Sequence, residues 1–336
     1  MPTRRIQWID SAKALAIFLV VMGHFLDPSS VLRTYIYTFH MHLFFFVSGF
    51  VFRKQGSYLQ FVGKRAWTLL LPYFIFSLLK YVYTLLKHRY GRAPGLHAND
   101  LQRLYDIFIW HHYFWFLGVL FIVSISFFPI SGKINSLKNL FILLVVGTVL
   151  HYVLSTYYVG FVHENIRKCF IAIVFYAFGY FFRDKLSSDT LYNVVEKYTW
   201  YFIAFVLLNV VVFLCYYKQY GGISFNFSKN YFYYYFLALS GIALSLTACQ
   251  FIRENKILSF VGANTIIIYL MELYPQAIFG RLMRSVFHVD NLGHATFGYA
   301  VIYALLTILM LVPCIYIINR YLPFIIGRRK RHIVST

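Results

Sequence analysis

The 336 residues are 60% apolar and only 12% charged, with a mean hydropathy of +0.64, whereas soluble domains run near a quarter charged. That balance excludes an ordinary soluble domain, and apolar runs near twenty residues without strand alternation exclude a barrel, so the expected class is an all-α polytopic integral membrane protein. The formal charge of +20 does not signal nucleic acid, because the basic residues are scattered through short segments between apolar runs, as topology signals are; contact with anionic membrane lipid or a polyanionic substrate is the role it allows.

About ten transmembrane helices are predicted, at roughly 9–26, 34–52, 67–86, 113–130, 138–155, 166–182, 198–217, 231–251, 257–280 and 296–320. Gly262 and Asn264 are positioned to break the ninth. The longest connection, 87–112, is polar and is expected to fold over one membrane face. The chain reads as a single membrane domain over 1–336, with 321–336 a basic tail and no attached soluble domain. With both termini on one side, that side collects seventeen Lys and Arg against eleven opposite, so both termini are expected in the cytoplasm of a multi-pass cell-membrane protein. Thirty Tyr and thirty-seven Phe suggest interfacial belts and an aromatic-lined interior. The four cysteines fall in or beside apolar runs with no metal-like spacing and read as small buried hydrophobes.

The first span carries Asp10, Lys13 and His24. A charge within a bilayer costs about 2.5–3.5 kcal/mol on insertion scales, so such groups need a reason. Lys13 and His24 are eleven residues apart, which on a helix places them about 20° apart in azimuth and about 16 Å apart along the axis. Asp10 can pair with Lys13 at i,i+3, or the two can snorkel to the interface. Imidazole is the side chain best suited to take a proton from a hydroxyl near neutral pH, and Gly23 beside His24 permits close approach by another group. In the second span His40 and His42 lie at a depth similar to His24, and Ser48-Gly49 is a small pair suited either to helix packing or to contact with substrate. Arg53, Lys54, Lys64 and Arg65 flank one short connection; four cations ahead of a helix suit phosphate, or they are topology signals. Pro72 is expected to bend the third span. The fourth begins with Trp110, His111, His112 and Trp115, which are interface aromatics or a platform for a sugar ring. Glu272 is an intramembrane acid and a functional candidate by default; His24, Lys80 and Arg281 are its possible partners.

These motifs together resemble the membrane acyltransferase 3 family, particularly members related to fucose 4-O-acetylase. Asp10, Lys13 and His24 match the first-span pattern. Phe39, His40, Met41, Leu43 to Phe46, Ser48 and Gly49 match the second-span stretch. Lys64, Arg65, Leu69, Leu70, Pro72 and Tyr73 match the third-span element. Trp115 to Leu117 and Asn264 to Leu270 match the later elements. The sequence departs from the family at His42, where proline is usual, at Thr68, where a second arginine is common, and at Glu272, where histidine is frequent. The resemblance implies transfer of an acyl group, usually acetyl, from cytoplasmic acyl-CoA, a co-substrate and not a tightly bound cofactor, to a hydroxyl of a cell-surface glycan or its lipid-linked precursor. His24 is then the base on that hydroxyl, with a transient acyl-histidine as the variant. Asp10 holds Lys13, and His40 and Glu272 orient or protonate His24. Lys13, Arg53, Lys64 and Arg65 bind the CoA phosphates, and Trp115, His112 and Ser48 line the acceptor site. Polysaccharide-synthesis machinery is the implied partner. The competing class is a transporter or flippase that uses His24, Glu272 and Lys13 as a proton relay, and a structural subunit of a polysaccharide synthase is a third.

Overall fold

The computed structural model describes residues 7–90, 114–159, 162–186, 190–220, 230–252, 255–287 and 295–328. His112, with Trp110 and His111, most of the 87–112 connection, Arg4, Arg5 and the tail beyond Arg328 lie outside the described residues. What is described is helical and carries no sheet. Among the described residues eight helices are long and apolar enough to cross a membrane: Trp8–Phe25, Tyr58–Thr84, Trp115–Lys133, Leu137–Tyr157, Glu164–Phe182, Thr199–Tyr220, Tyr231–Ile252 and Phe297–Tyr321. In a bilayer every backbone N–H and C=O must find its partner within the protein, which is why apolar runs of this length fold as helices.

Two of the ten expected spans differ. The second is a 20-residue helix, Val31–Phe50, but Arg33, His40, His42 and its Thr and Tyr residues lower its apolar character, and it is not among the eight. The ninth is broken twice, into Lys256–Ala263, Thr265–Met271 and Leu273–Phe287. At the first break Asn264 leaves the helical region (φ −116°, ψ 17°), and its side-chain Nδ2 donates to the Phe260 carbonyl at 2.8 Å, satisfying a helix-end acceptor. The second break falls at Glu272, three residues before Pro275. Proline has no N–H to give the Met271 carbonyl, and its ring crowds that carbonyl, so the helix restarts there.

The third span also begins earlier than expected. Ser57 and Gln60 form a reciprocal capping box, and the helix runs from Tyr58 through Lys64 and Arg65. Ahead of Pro72 it loosens into a π-helical segment, Ala66–Leu70, in which the Leu71 N–H donates to Ala66 five residues back. Pro72 therefore acts through a π-bulge.

The chain clusters into two compact units. The first comprises Met1–Phe52, Asn135–Leu143 and Val174–Ile315. Within it we label Gln7–Phe25 α1, Val31–Phe50 α2, Thr199–Tyr220 α3, Tyr231–Ile252 α4, Lys256–Ala263 α5, Thr265–Met271 α6 and Leu273–Phe287 α7. α1 lies at its centre, with Ala12, Ala16, Ile17 and Val21 fully enclosed and α5, α2 and α4 packed along it. The crossing of α1 and α5 is backbone on backbone: a Cβ at Gly262 would lie 1.9 Å from the Asp10 carbonyl oxygen. Small residues at such crossings let helices pack where lipid offers no hydrophobic drive. A buried polar chain ties α2, α3 and α4: Tyr35 Oη donates to Asn209 Oδ1 at 2.8 Å, and Asn209 Nδ2 donates to Ser240 Oγ at 2.6 Å. The second unit comprises Arg53–Ile134, Leu144–Ile173 and Tyr316–Thr336. In it the Phe61 and Phe128 rings meet at a tilt with centroids 4.8 Å apart, joining the third span to Trp115–Ile130.

Candidate active site

α1 ends at His24 and Phe25, and the Phe25 carbonyl accepts from the Ala295 N–H at 3.0 Å. That bond anchors the helix end and fixes where the imidazole emerges. The ring is 37% exposed, and its Nδ1 lies 3.1 Å from Oε1 of Glu272, whose side chain is only 4% exposed. Of the three partners open to Glu272 in the sequence, the fold selects His24. A carboxylate can only accept, so Nδ1 carries the hydrogen of this bond and the neutral ring keeps its lone pair on Nε2. A buried acid holding an accessible imidazole in one tautomer has the geometry of the His–Asp pair in a catalytic triad.

The break at Pro275 sets the geometry on the other side. Glu272 is the residue at which α6 hands over to α7. Its backbone N–H still donates to Ile268 at 2.8 Å, so its position is fixed by helix geometry although the helix restarts after it. Its second oxygen, Oε2, is buried with no hydrogen-bond partner among the described residues, and so is Nε2 of Gln276 one turn further on.

His40 approaches the same end of α1 from α2 without bonding to His24. Gly23 permits the contact: a Cβ there would lie 2.8 Å from the Tyr37 ring, and the Tyr37 and His40 rings are 4.7 Å apart. His40 is 3% exposed, and its Nδ1 donates to the Ile36 carbonyl at 2.8 Å, which leaves Nε2 as an acceptor in the neutral ring. His42, two residues on, points to the opposite side of α2, since successive even positions turn by about 200°. There it meets Phe175, with ring centroids 4.4 Å apart, and bonds the Tyr234 hydroxyl.

The opposite end of α1 carries Asp10 and Lys13. Asp10 is 4% exposed, and its Oδ1 lies 3.7 Å from Lys13 Nζ. α1 is one unbroken helix, so Lys13 and His24 share a face about 16 Å apart along the axis. Ser48 belongs to this end and not to the imidazole end. It lies eight residues, about 12 Å, along α2 from His40, and two residues before Phe50, whose ring meets Trp8 at 5.1 Å. Its neighbour Gly49 is used for packing, since a Cβ there would lie 1.8 Å from the Tyr176 carbonyl oxygen.

The remaining candidates lie in the second unit. Arg53 and Lys64 are exposed. Lys54 Nζ lies 5.0 Å over Phe128 and the Arg65 guanidinium 5.1 Å over Phe61, so each ring of this pair carries a cation. Lys64 and Arg65 close the first two turns of their helix instead of preceding it, so its N-terminal amides are not beside them. Trp115 has Lys168 Nζ 4.6 Å over its ring, and that ammonium also pairs with Glu164 at 2.8 Å; one face of the indole is thereby occupied. Sequence reasoning missed Tyr37 and Gln276. Tyr37 carries no signal beyond its place one turn before His40. Gln276 carries one, its i,i+4 spacing from Glu272.

The family model described as Acyltransferase domain (Acyl_transf_3) matches residues 6–319. The nodulation protein NolL of Mesorhizobium japonicum is 26% identical over 304 residues, an alignment covering 78% of this chain and 74% of NolL. No solved structure matches the chain.

Proposed function

The chain belongs to the Acyltransferase domain family, and from that premise we propose that it is an O-acyltransferase moving an acyl group, acetyl as the first choice, from cytoplasmic acyl-CoA to a hydroxyl of a cell-surface glycan or its lipid-linked precursor. The observation that carries this reading is the pairing of the exposed His24 ring with the buried Glu272 carboxylate at 3.1 Å. With Nδ1–H engaged, Nε2 is the base. It takes the proton of the acceptor hydroxyl as the oxygen attacks the thioester carbonyl carbon; the C–O bond forms, the C–S bond breaks, and the proton passes from His24 to the departing sulfur. Glu272 holds the ring and stabilises the imidazolium without itself taking the proton.

Lys13 is proposed to meet a phosphate of the donor, with Asp10 holding it, so that the thin pantetheine arm follows the helix face from Lys13 to His24. The assignment of Arg53, Lys64 and Arg65 to donor phosphates rests on the resemblance, as does that of Trp115 and His112 to the acceptor. His40 supports the ring through Tyr37. Ser48, at the Asp10 end, is not carried forward as an acceptor contact. The reading places both termini in the cytoplasm of a cell-membrane protein, acting alongside polysaccharide-synthesis machinery.

The test incubates membranes holding the full chain with labelled acetyl-CoA and surface glycan extracted from cells lacking the protein. Alkali-labile label on the glycan supports the reading, and its absence with a folded protein counts against it. A proton-relay transporter would leave the glycan unlabelled.

A further inference from the structure

We infer that the side-chain amide of Gln276 is the donor that holds the acyl carbonyl oxygen at His24, a catalytic residue that no motif pointed to. The inference rests on the acyl-transfer reading above. Gln276 follows Glu272 by four residues, and its N–H still reaches the Glu272 carbonyl at 3.4 Å, so the two side chains lie about 40° apart in azimuth and about 6 Å apart along one helix face. Glu272 reaches His24 from that face, which puts Gln276 on the same side of its helix as the imidazole. Its Nε2 is buried and has no acceptor among the described residues. A buried donor without a partner is costly, and such groups mark places a ligand completes.

The chemistry of the reaction supplies what is missing. As the hydroxyl oxygen adds to the thioester carbon, the carbonyl oxygen gains negative charge before the C–S bond breaks. His24 and Glu272 handle the proton, and neither donates to that oxygen. A neutral amide donor already desolvated and fixed on a helix stabilises the developing charge without reorganising. Oε2 of Glu272, buried and unbonded in the same way, cannot serve, because a carboxylate only accepts.

The experiment measures kcat and KM with labelled acetyl-CoA and the same extracted glycan for wild type, Gln276→Leu, Gln276→Met, Glu272→Gln, the Glu272→Gln/Gln276→Leu pair and His24→Ala. Loss of one such donor costs about 10²-fold in kcat, so both Gln276 variants are expected to fall by that factor with KM within about threefold of wild type, and the pair is expected to fall below either single variant, by less than the product of the two because neighbouring groups couple. Two variants of different shape guard against one failing to fold, which gel filtration in detergent reports. Gln276 variants with wild-type kcat overturn the inference. So does a pair no worse than Glu272→Gln alone, since Gln276 would then act only by steadying that carboxylate. If wild type leaves the glycan unlabelled, the acyl-transfer reading falls and takes the inference with it; if wild type labels it and only the Gln276 variants behave as wild type, the inference falls alone.

Discussion

Replacing Glu272 by Gln keeps the volume, removes the charge and leaves an amide that can turn its NH₂ toward Nδ1. In that orientation the ring is held in the wrong tautomer, with its hydrogen on Nε2. The electrostatic part can be sized from the 3.1 Å separation: unit charges at that distance attract by about 5 kcal/mol at an effective dielectric of 20. The His24 ring is 37% exposed, and solvent screening at such a site brings this nearer ~3 kcal/mol. The loss applies when the imidazolium forms, so kcat is expected to drop by about 10²-fold from charge alone, with the tautomer error adding to it. KM for acetyl-CoA should hold, because Glu272 makes its contribution as the proton moves. Stability should move the other way. Glu272 is a buried carboxylate with one oxygen unbonded among the described residues, and neutralising it removes a desolvation penalty, so thermal unfolding in detergent should stay level or rise. A folded Glu272→Gln protein with kcat within about threefold of wild type rules out this role for the carboxylate, and one that is inactive because it unfolds fails to support it.

Gly262→Ala sets a methyl group 1.9 Å from the Asp10 carbonyl oxygen, and since backbone cannot yield as a flexible side chain does, a loss of about 1–3 kcal/mol or more is expected, read as a lowered melting temperature in detergent. Lys13→Met removes the charge on the α1 face opposite His24 in height; it is expected to raise KM for acetyl-CoA about tenfold and leave kcat nearly unchanged, as loss of a contact made equally in ground and transition states does.

The long apolar helices were legible because composition alone decides them in a bilayer. Their ends were not, where polar residues dilute the apolar window. Lys64 and Arg65 pushed the expected start of the third span to 67, although Ser57 and Gln60 spell a capping box at its true beginning. The ninth span shows the converse. Gly262 and Asn264 marked its first break, whereas Pro275, which causes the second, was not read as a breaker, and the helix restart beside Glu272 emerged only from the three-dimensional path. The site was legible as residue types and as the Lys13–His24 spacing, which depends on one helix only. The pairing of His24 with Glu272 crosses 248 positions and no spacing rule reaches that far. Local periodicity likewise separates His40 from His42 by face but cannot say which face looks toward α1.

The proposed acyl transfer needs His24 as its base, and the kinetics of His24→Ala test that role. With labelled acetyl-CoA and glycan from cells lacking the protein, wild type is expected to transfer alkali-labile label, and His24→Ala, folded and monodisperse in detergent, is expected to fall to the level of membranes without the protein. Transfer by His24→Ala at a rate near wild type would contradict it.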